Sequence, residues 1–511
     1  MHFTKTSLAS TFLLASNTLA IELDLNDPVS IKDAAETVAS SIVDRYRNAS
    51  IPGLFGDPYY FWESGLAWDS LLNYWHQTGD DAHNEIIGQA LRFQLGPDNN
   101  YSPANQTKNL GNDDQSSWAL TAMTAAEYGF PSDVLDDVNT TWVEIAKNVF
   151  EEQAARWDDE TCGGGLRWQI FAFNNGYDYK NTMANGNFYQ LASRLALYTG
   201  NTTYSDWAHR VYAWTLKVGL ISDTRAVFDG VSATKYCTEI NHIQWTGTAG
   251  TFLAGQAYAF NAVSSPAQTY PQHNSKEHPN KPHSQTPSPM NQGYIPTFIS
   301  INATFASAAL GAPSNGTLTE IACAPRQNCN SDQLAFRAIL ARALFQTRSL
   351  TTDAQIFTSP KNSSSENNAT SPSLPDPSAP RDPAASFHSR VDFVLRTSAA
   401  GAAAQCSGGD SGTVCGSLWG ESEWDGTQGL GQDLSALNVF LALLDGEGGL
   451  ENVNSTAGGA GSGIVGGDGD GEGNGEDDGV AASEGAAAGR VTVVSSVGLG
   501  LVGVCSLMAL L

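Results

Sequence analysis

Two adjacent acids, Asp113 and Asp114, stand at the mouth of the apolar run Trp118 to Glu127, whose composition favours a helix. Unpaired backbone N–H groups and the positive end of the helix dipole favour a carboxylate there, while a second carboxyl in the same small volume is discouraged from ionising. One member of such a pair stays charged and the other keeps its proton. That division suits cleavage of a glycosidic bond, in which one group attacks or stabilises the anomeric carbon and the other protonates the departing oxygen. Asn112-Asp113-Asp114 before a helix is equally an ordinary cap, so the surroundings must decide.

The elements that would position the pair are helical. About a dozen segments carry helical periodicity, among them Tyr59 to Gln77, Gln115 to Tyr128, Asp133 to Trp157, Thr182 to Tyr198, Trp245 to Ala262, Gln292 to Leu310, Ser331 to Gln346 and Gly426 to Leu444, with little strand-like alternation between them. Thr78-Gly79 and Thr199-Gly200 are helix stops that hint at repeated helix pairs. A dozen helices in consecutive pairs close most simply into inner and outer rings, so the expected class is all-α, an (α/α)6 barrel. Ser264 to Asn291 and Thr351 to Ala385 interrupt the pattern as low-complexity insertions. His273, His278 and His283 in the first are five apart and interleaved with Pro279 and Pro282, which reads as solvated loop and not as a metal site.

Residues 1–20 read as a secretory signal peptide, with His2 and Lys5 before an apolar run and small residues near Ala20. The body spans about 21–445, followed by an acidic Gly-rich spacer over 446–489, expected to be disordered, and an uncharged apolar tail over 490–511. Small residues between Gly479 and Ala487 precede that tail, the layout of a glycosylphosphatidylinositol (GPI) attachment sequence, with a retained transmembrane helix as the alternative. Sequons at Asn48, Asn100, Asn105, Asn139, Asn201, Asn302, Asn315, Asn362, Asn368 and Asn454 agree with export. Seven cysteines become six once Cys505 leaves with the tail. Cys323 with Cys329 and Cys406 with Cys415 are the natural local disulfides, leaving Cys162 with Cys237, although spacing alone does not fix connectivity. A net charge of −27 argues against nucleic acid and anionic polymers as partners.

Five motifs in this order resemble glycoside hydrolase family 76: Gly111-Asn112-Asp113-Asp114-Gln115, Cys162 to Gln169, Asn185-Gly186-Asn187-Phe188-Tyr189-Gln190, Val227-Phe228-Asp229-Gly230 and Gly429 to Leu437. The resemblance is to the fungal GPI-anchored branch of mannan endo-1,6-α-mannosidases linked to cell-wall assembly. It implies an (α/α)6 barrel, retention of anomeric configuration, no metal or other cofactor, and α-1,6-mannan or GPI-glycan mannose chains as partners. A wall β-glucan is the candidate acceptor, and the lipid anchor the sole tie to the membrane. Asp113 would be the nucleophile and Asp114 the general acid/base. Asn112, Gln115, Asp229, Asn185, Asn187 and Gln190 would bind sugar, and Trp62, Trp68, Trp168 and Trp245 would wall the subsites; capping, turn and core roles compete for each of these. Gly247-Thr248 stands where the family commonly has an aromatic and Asn, which leaves one wall of the cleft open to question, and Gln432-Asp433-Leu434 stands for Gln-Gln-Met. A non-catalytic carbohydrate-binding wall protein is the competing reading, and it predicts an altered acid pair.

Overall fold

A computed structural model describes residues 20–47, 49–264, 316–351 and 383–444. The segment expected to be a signal peptide (save Ala20), the expected spacer and apolar tail, nearly all of both insertions and the helix expected over Gln292 to Leu310 lie outside the described residues. The helices are α1 (Pro28–Tyr46), α2 (Phe61–Thr78), α3 (Asn84–Phe93), α4 (Asn112–Glu127), α5 (Trp142–Ala155), α6 (Thr182–Thr199), α7 (Thr202–Lys217), α8 (Thr246–Ser264), α9 (Ser331–Leu350), α10 (Pro383–Gln405) and α11 (Leu430–Leu441). None of them is long and apolar enough to cross a membrane.

Local chemistry sets their ends. Asn181 and Asn330 cap α6 and α9 through their side chains, and Gly79 and Gly200 close α2 and α6 in the left-handed conformation. The expected Asp133 to Trp157 helix is instead a 3-10 turn over Asp133–Val138 followed by α5, because Asn139 turns left-handed (φ 48°) between them. Short antiparallel strands also form, β1 (Tyr179–Asn181), β2 (Gly230–Ser232) and β3 (Ile240–Asn241) in one sheet, β4 (Cys406–Gly408) and β5 (Val414–Cys415) in another.

Packing closes a ring. Helix α2 packs on α4, α4 on α6, α6 on α8, α8 on α9, α9 on α11, and α11 returns to α2. Outside it α1 lies against α11 and α2, α3 against α2, α5 against α4 and α6, α7 against α6 and α8, and α10 against α9 and α11. This is the (α/α)6 barrel. Except between α8 and α9, where residues 265–315 lie outside the described ones, an outer helix separates successive inner helices, and the N-termini of the inner helices meet at one end: the Tyr59 hydroxyl before α2 meets the Leu430 N–H of α11, the Trp62 indole meets Asp332 of α9, and Phe336 of α9 packs on Trp245 before α8. Glycines let the inner helices come close, since a Cβ on Gly250 of α8 would lie 2.9 Å from the Leu340 backbone of α9.

The inner ring is buried on all sides, and its polar residues pair with one another there. Arg194 donates to Glu127 at 2.8 and 2.9 Å and to the Thr124 hydroxyl, Thr124 donates to Asp69, and Arg342 bridges Asn73 and Tyr128. Beside them is a cavity of about 50 Å³. The three disulfides are Cys162–Cys237, Cys323–Cys329 and Cys406–Cys415.

Candidate active site

Helix α4 starts three residues earlier than its periodicity suggests, which places both acids inside its first turn with Gly111 as cap. Asp114 Oδ2 accepts the Gly111 N–H at 2.7 Å, so the capping role is real and occupies one oxygen. Asp113 Oδ1 accepts the Asp114 N–H at 3.0 Å and its Oδ2 accepts Asn181 Nδ2 at 2.6 Å. A Cβ on Gly111 would lie 2.3 Å from Asp113 Oδ1 and 3.0 Å from Asp114 Oδ2. Two oxygens that close to one point are separated by no more than the roughly 5 to 5.5 Å typical of retaining carboxylate pairs.

Burial pushes the Asp113 carboxyl up to about 7, against the pull of the Asn181 amide and the Asp114 N–H. Burial, and then the neighbouring Asp113 charge, hold Asp114 well above the usual carboxylate range. With both of its oxygens hydrogen-bonded, Asp113 gives up its proton first and Asp114 keeps its own, which matches a nucleophile beside a general acid.

Asp229 forms a second acidic centre on the β1–β2 side. Its Oδ1 accepts the Trp245 indole N–H at 2.7 Å, and its Oδ2 accepts the Tyr179 hydroxyl at 2.5 Å and Asn241 Nδ2 at 3.0 Å. Strand β1 joins this centre to the first, because Tyr179 and Asn181 are its ends. Lys180 between them is fully buried and donates to the carbonyls of Asp158, Thr161 and Gly164, pinning the Cys162 loop.

Several expected sugar contacts turn out to be scaffold. Trp68 is fully buried, donates to the Gly53 carbonyl at 2.9 Å and packs on Tyr46 and Phe55, so it walls no subsite. Asn112 spends its amide on the Arg167 carbonyl and the Arg156 guanidinium, and Gln115 spends its own on the Asn100 carbonyl, Glu152 and Arg156. Buried Asn185 clamps both backbone groups of Leu166. Asn187 donates to Ser117 and the Asp113 carbonyl, and Thr251 donates to both Asn187 and Gln190, which line the cavity. Amide side chains inside an inner ring are consumed holding neighbouring elements in register. Trp62 and Trp245 are part-exposed, and Trp168 is exposed, its carbonyl accepting the Asn112 N–H.

Other residues of the site escaped the sequence reading. Asn181 carried a capping signal and nothing more. Phe336 of α9 lies between Trp62 and Trp245, with ring centroids 5.7 and 5.6 Å away. It also fills the space opened by Gly247, whose Cβ would meet Met183 at 3.0 Å and Phe336 at 3.1 Å. The wall that Gly247 left in question is therefore supplied from α9. Glu320, pushed up to about 7 by burial, accepts the Thr246 N–H and hydroxyl and so fixes the start of α8 next to Trp245.

A closed ring of inner helices backed by outer ones, with two adjacent acids where the inner helices begin, is an (α/α)6 barrel carrying an acid pair suited to glycosidic cleavage. The chain belongs to glycosyl hydrolase family 76, whose profile matches residues 30–275 and 382–451. It is 37% identical to mannan endo-1,6-alpha-mannosidase DCW1 of Saccharomyces cerevisiae over 429 residues, 83% of this chain and 81% of that protein. It is 34% identical to mannan endo-1,6-alpha-mannosidase DFG5 of the same yeast, over 86% of this chain and 83% of the relative. The crystal structure of Dfg5 from Chaetomium thermophilum in complex with glucosamine superposes with a TM-score of 0.65 at 31% identity, covering 82% of this chain and 92% of that one. An inactive variant of the alpha-1,6-mannanase GH76A of Salegentibacter sp. HEL1_6, in complex with alpha-1,6-mannotriose, shares the fold at 16% identity and a TM-score of 0.56, over 81% and 99% of the two chains.

Proposed function

We propose that this chain is a retaining, endo-acting mannan 1,6-α-mannosidase of fungal cell-wall biogenesis. The observation that carries the reading is the pair of carboxylate oxygens gathered about the bare Cα of Gly111. Asp113 attacks the anomeric carbon while Asp114 gives its proton to the departing oxygen; Asp114 then takes a proton from the incoming nucleophile as the glycosyl–Asp113 ester is broken. Water as nucleophile completes hydrolysis, and a glycan hydroxyl completes transfer, with a GPI-glycan mannose chain as donor and wall β-glucan as acceptor. Trp62, Trp168 and Trp245 offer indole faces to the sugar, and Asp229 is the hydroxyl acceptor on the opposite side.

Export and a lipid anchor on the outer face of the plasma membrane belong to the same proposal. Three disulfides and exposed sequon asparagines at Asn105, Asn139 and Asn201 support it. Asn100 is buried with its amide on Glu152, which argues against a glycan there.

The test is incubation of the soluble body with α-1,6-mannooligosaccharides, with and without a labelled β-glucan acceptor. Shortened or transferred product is expected from the wild type, and a loss of several orders of magnitude from Asp113→Asn and from Asp114→Asn. Unchanged turnover in either variant removes that residue from its role, and a wild type that binds without turnover leaves a carbohydrate-binding wall protein.

A further inference from the structure

Lys180 is fully buried, and nothing in the mechanism above uses it. Successive side chains of a strand point to opposite faces, so Tyr179 and Asn181 share one face of β1 and Lys180 takes the other. On that face its ammonium donates to the carbonyls of Asp158 at 3.0 Å, Thr161 at 2.8 Å and Gly164 at 2.6 Å, and lies 3.2 Å from Asp158 Oδ2. The loop is wound to meet it: Cys162, Gly163, Gly164 and Gly165 take φ of 59°, 63°, 139° and 98°, and the Asp158 N–H closes the turn on the Gly165 carbonyl at 3.2 Å. Three carbonyl dipoles and a carboxylate converging on one buried point repel one another unless a cation sits among them, and a compact ammonium with three donors fits that point. We infer that Lys180 is a positioning residue for the reacting acid: by gathering the 158–164 carbonyls behind β1, it fixes where Asn181 and Tyr179 stand in front. This rests on the role assigned to Asp113.

Two routes lead from the ammonium to the acids, and each is a chain of polar contacts. The first is β1 itself: Asn181 donates to Asp113 Oδ2 at 2.6 Å, and Tyr179, whose ring lies over Gly230, donates to Asp229 Oδ2 at 2.5 Å. The second is the exit of the loop. Asp158 holds Arg167 at 2.8 Å, the Arg167 carbonyl accepts Asn112 Nδ2 at 2.9 Å, and the Trp168 carbonyl accepts the Asn112 N–H at 2.8 Å while the Trp168 N–H donates to the Tyr179 carbonyl at 2.7 Å. The strand and the start of α4 are therefore fastened to one knot, and the donor on β1 meets the acceptor on α4 because both are held by it. The charges acting on the ammonium are Asp158, Arg167 on Asp158, and Asp159, which Arg210 pairs. A displaced Asn181 no longer favours the charged form of Asp113, and a displaced carboxylate is out of line for attack on the anomeric carbon.

The test separates placement from charge and from stability. Activation by a carbodiimide requires a protonated carboxyl, so the pH midpoint of glycinamide labelling at Asp113, resolved from Asp114 by peptide fragmentation, reports its proton affinity without substrate. Lys180→Met keeps an apolar stem and removes the donors. It is expected to raise that midpoint, and the acid limb of the pH–rate profile, by roughly half a unit and to lower kcat about tenfold or more, while Lys180→Arg, which keeps charge and donors, recovers part of both. If the ammonium acts through Asn181, adding Asn181→Ala to Lys180→Met moves the midpoint no further than Asn181→Ala alone, whereas a cation acting on Asp113 through space gives additive shifts. Asp158→Asn weakens the knot from the loop side and should raise the midpoint by less, although loss of an anion acting through space would lower it; it replaces Lys180→Met in the same pairing if that variant does not fold. An unmoved Asp113 midpoint, or additive shifts, overturns the inference. A wild type without turnover on mannan fragments, but with the non-additive midpoint shift, leaves the inference standing and removes the proposed substrate instead.

Discussion

Asn181 serves two helices at once: its Oδ1 accepts the Ala184 N–H at 3.3 Å to cap α6, and its Nδ2 donates to Asp113 Oδ2 at 2.6 Å. The end of one inner helix thereby orients the reactive acid of the next. Asn181→Ala is expected to cost about 1 kcal/mol of stability through the lost cap. The larger effect is on chemistry, since losing a donor raises the proton affinity of Asp113 and moves the acid limb of the pH–rate profile upward. Parallel thermal melts and pH–rate curves separate the two; an unmoved acid limb would show that the amide does not bias Asp113.

Gly111 is extended (φ −95°), so its backbone conformation admits any residue, and what excludes a side chain is the acid pair itself. Gly111→Ala is expected to displace Asp113 and lower kcat by more than about a hundredfold. Gly79→Ala makes the contrast: Gly79 has φ 78° with open space around it. That change should cost about 1 kcal/mol of stability and leave kcat alone. Melting curves and steady-state kinetics on both variants check the opposition.

Two tryptophans of equal promise in the sequence should respond in opposite ways. Trp68→Ala empties a fully buried site and should cost roughly 3 to 5 kcal/mol in denaturant unfolding. Trp245→Phe keeps the ring and deletes the 2.7 Å bond to Asp229. It should raise KM about tenfold, a change of about 1.4 kcal/mol, with the midpoint of unfolding unmoved. A Trp245→Phe enzyme with native KM would show that the Asp229 centre does not meet the sugar.

The same residues show what was legible beforehand. Asp113 and Asp114 declared themselves through position, as did the Thr78-Gly79 and Thr199-Gly200 stops, because capping and left-handed glycine are local chemistry. Trp68 could not be told from Trp62, since an inner helix is buried all round and its pattern carries no face. The contacts of Trp62 with Asp332 and Phe336 bridge about half the chain, and no short-range signal announces such a meeting.

Stability should fall as pH rises from about 4 toward 8. Burial raises Glu63 to about 8, Glu320 to about 7 and Asp433 to about 6, so the folded chain holds protons there that the unfolded chain has released. By linkage, each such carboxyl destabilises the fold progressively from its unfolded value up through its folded one. Asp158 opposes this trend: despite its burial, Thr161 and Lys180 hold it down to about 2, and its contribution is lost on acidification below about 4. A maximum in melting temperature near pH 4 to 5 is expected from differential scanning across pH, and Glu63→Gln should flatten the alkaline side. A melting temperature that climbs steadily to pH 8 would contradict the burial of these acids.

Inner helices that all begin beside the acids must all end at the other pole, and it is from that pole, past Ser264 of α8 and Leu350 of α9, that the chain departs into 265–315 and 352–382. Past the first of these stretches the chain re-enters at the acid end, where Glu320 accepts the Thr246 N–H and hydroxyl beside Trp245. A change at the Leu350 end of α9 is therefore separated from the acids by the length of that helix, whereas a change at Glu320 is not.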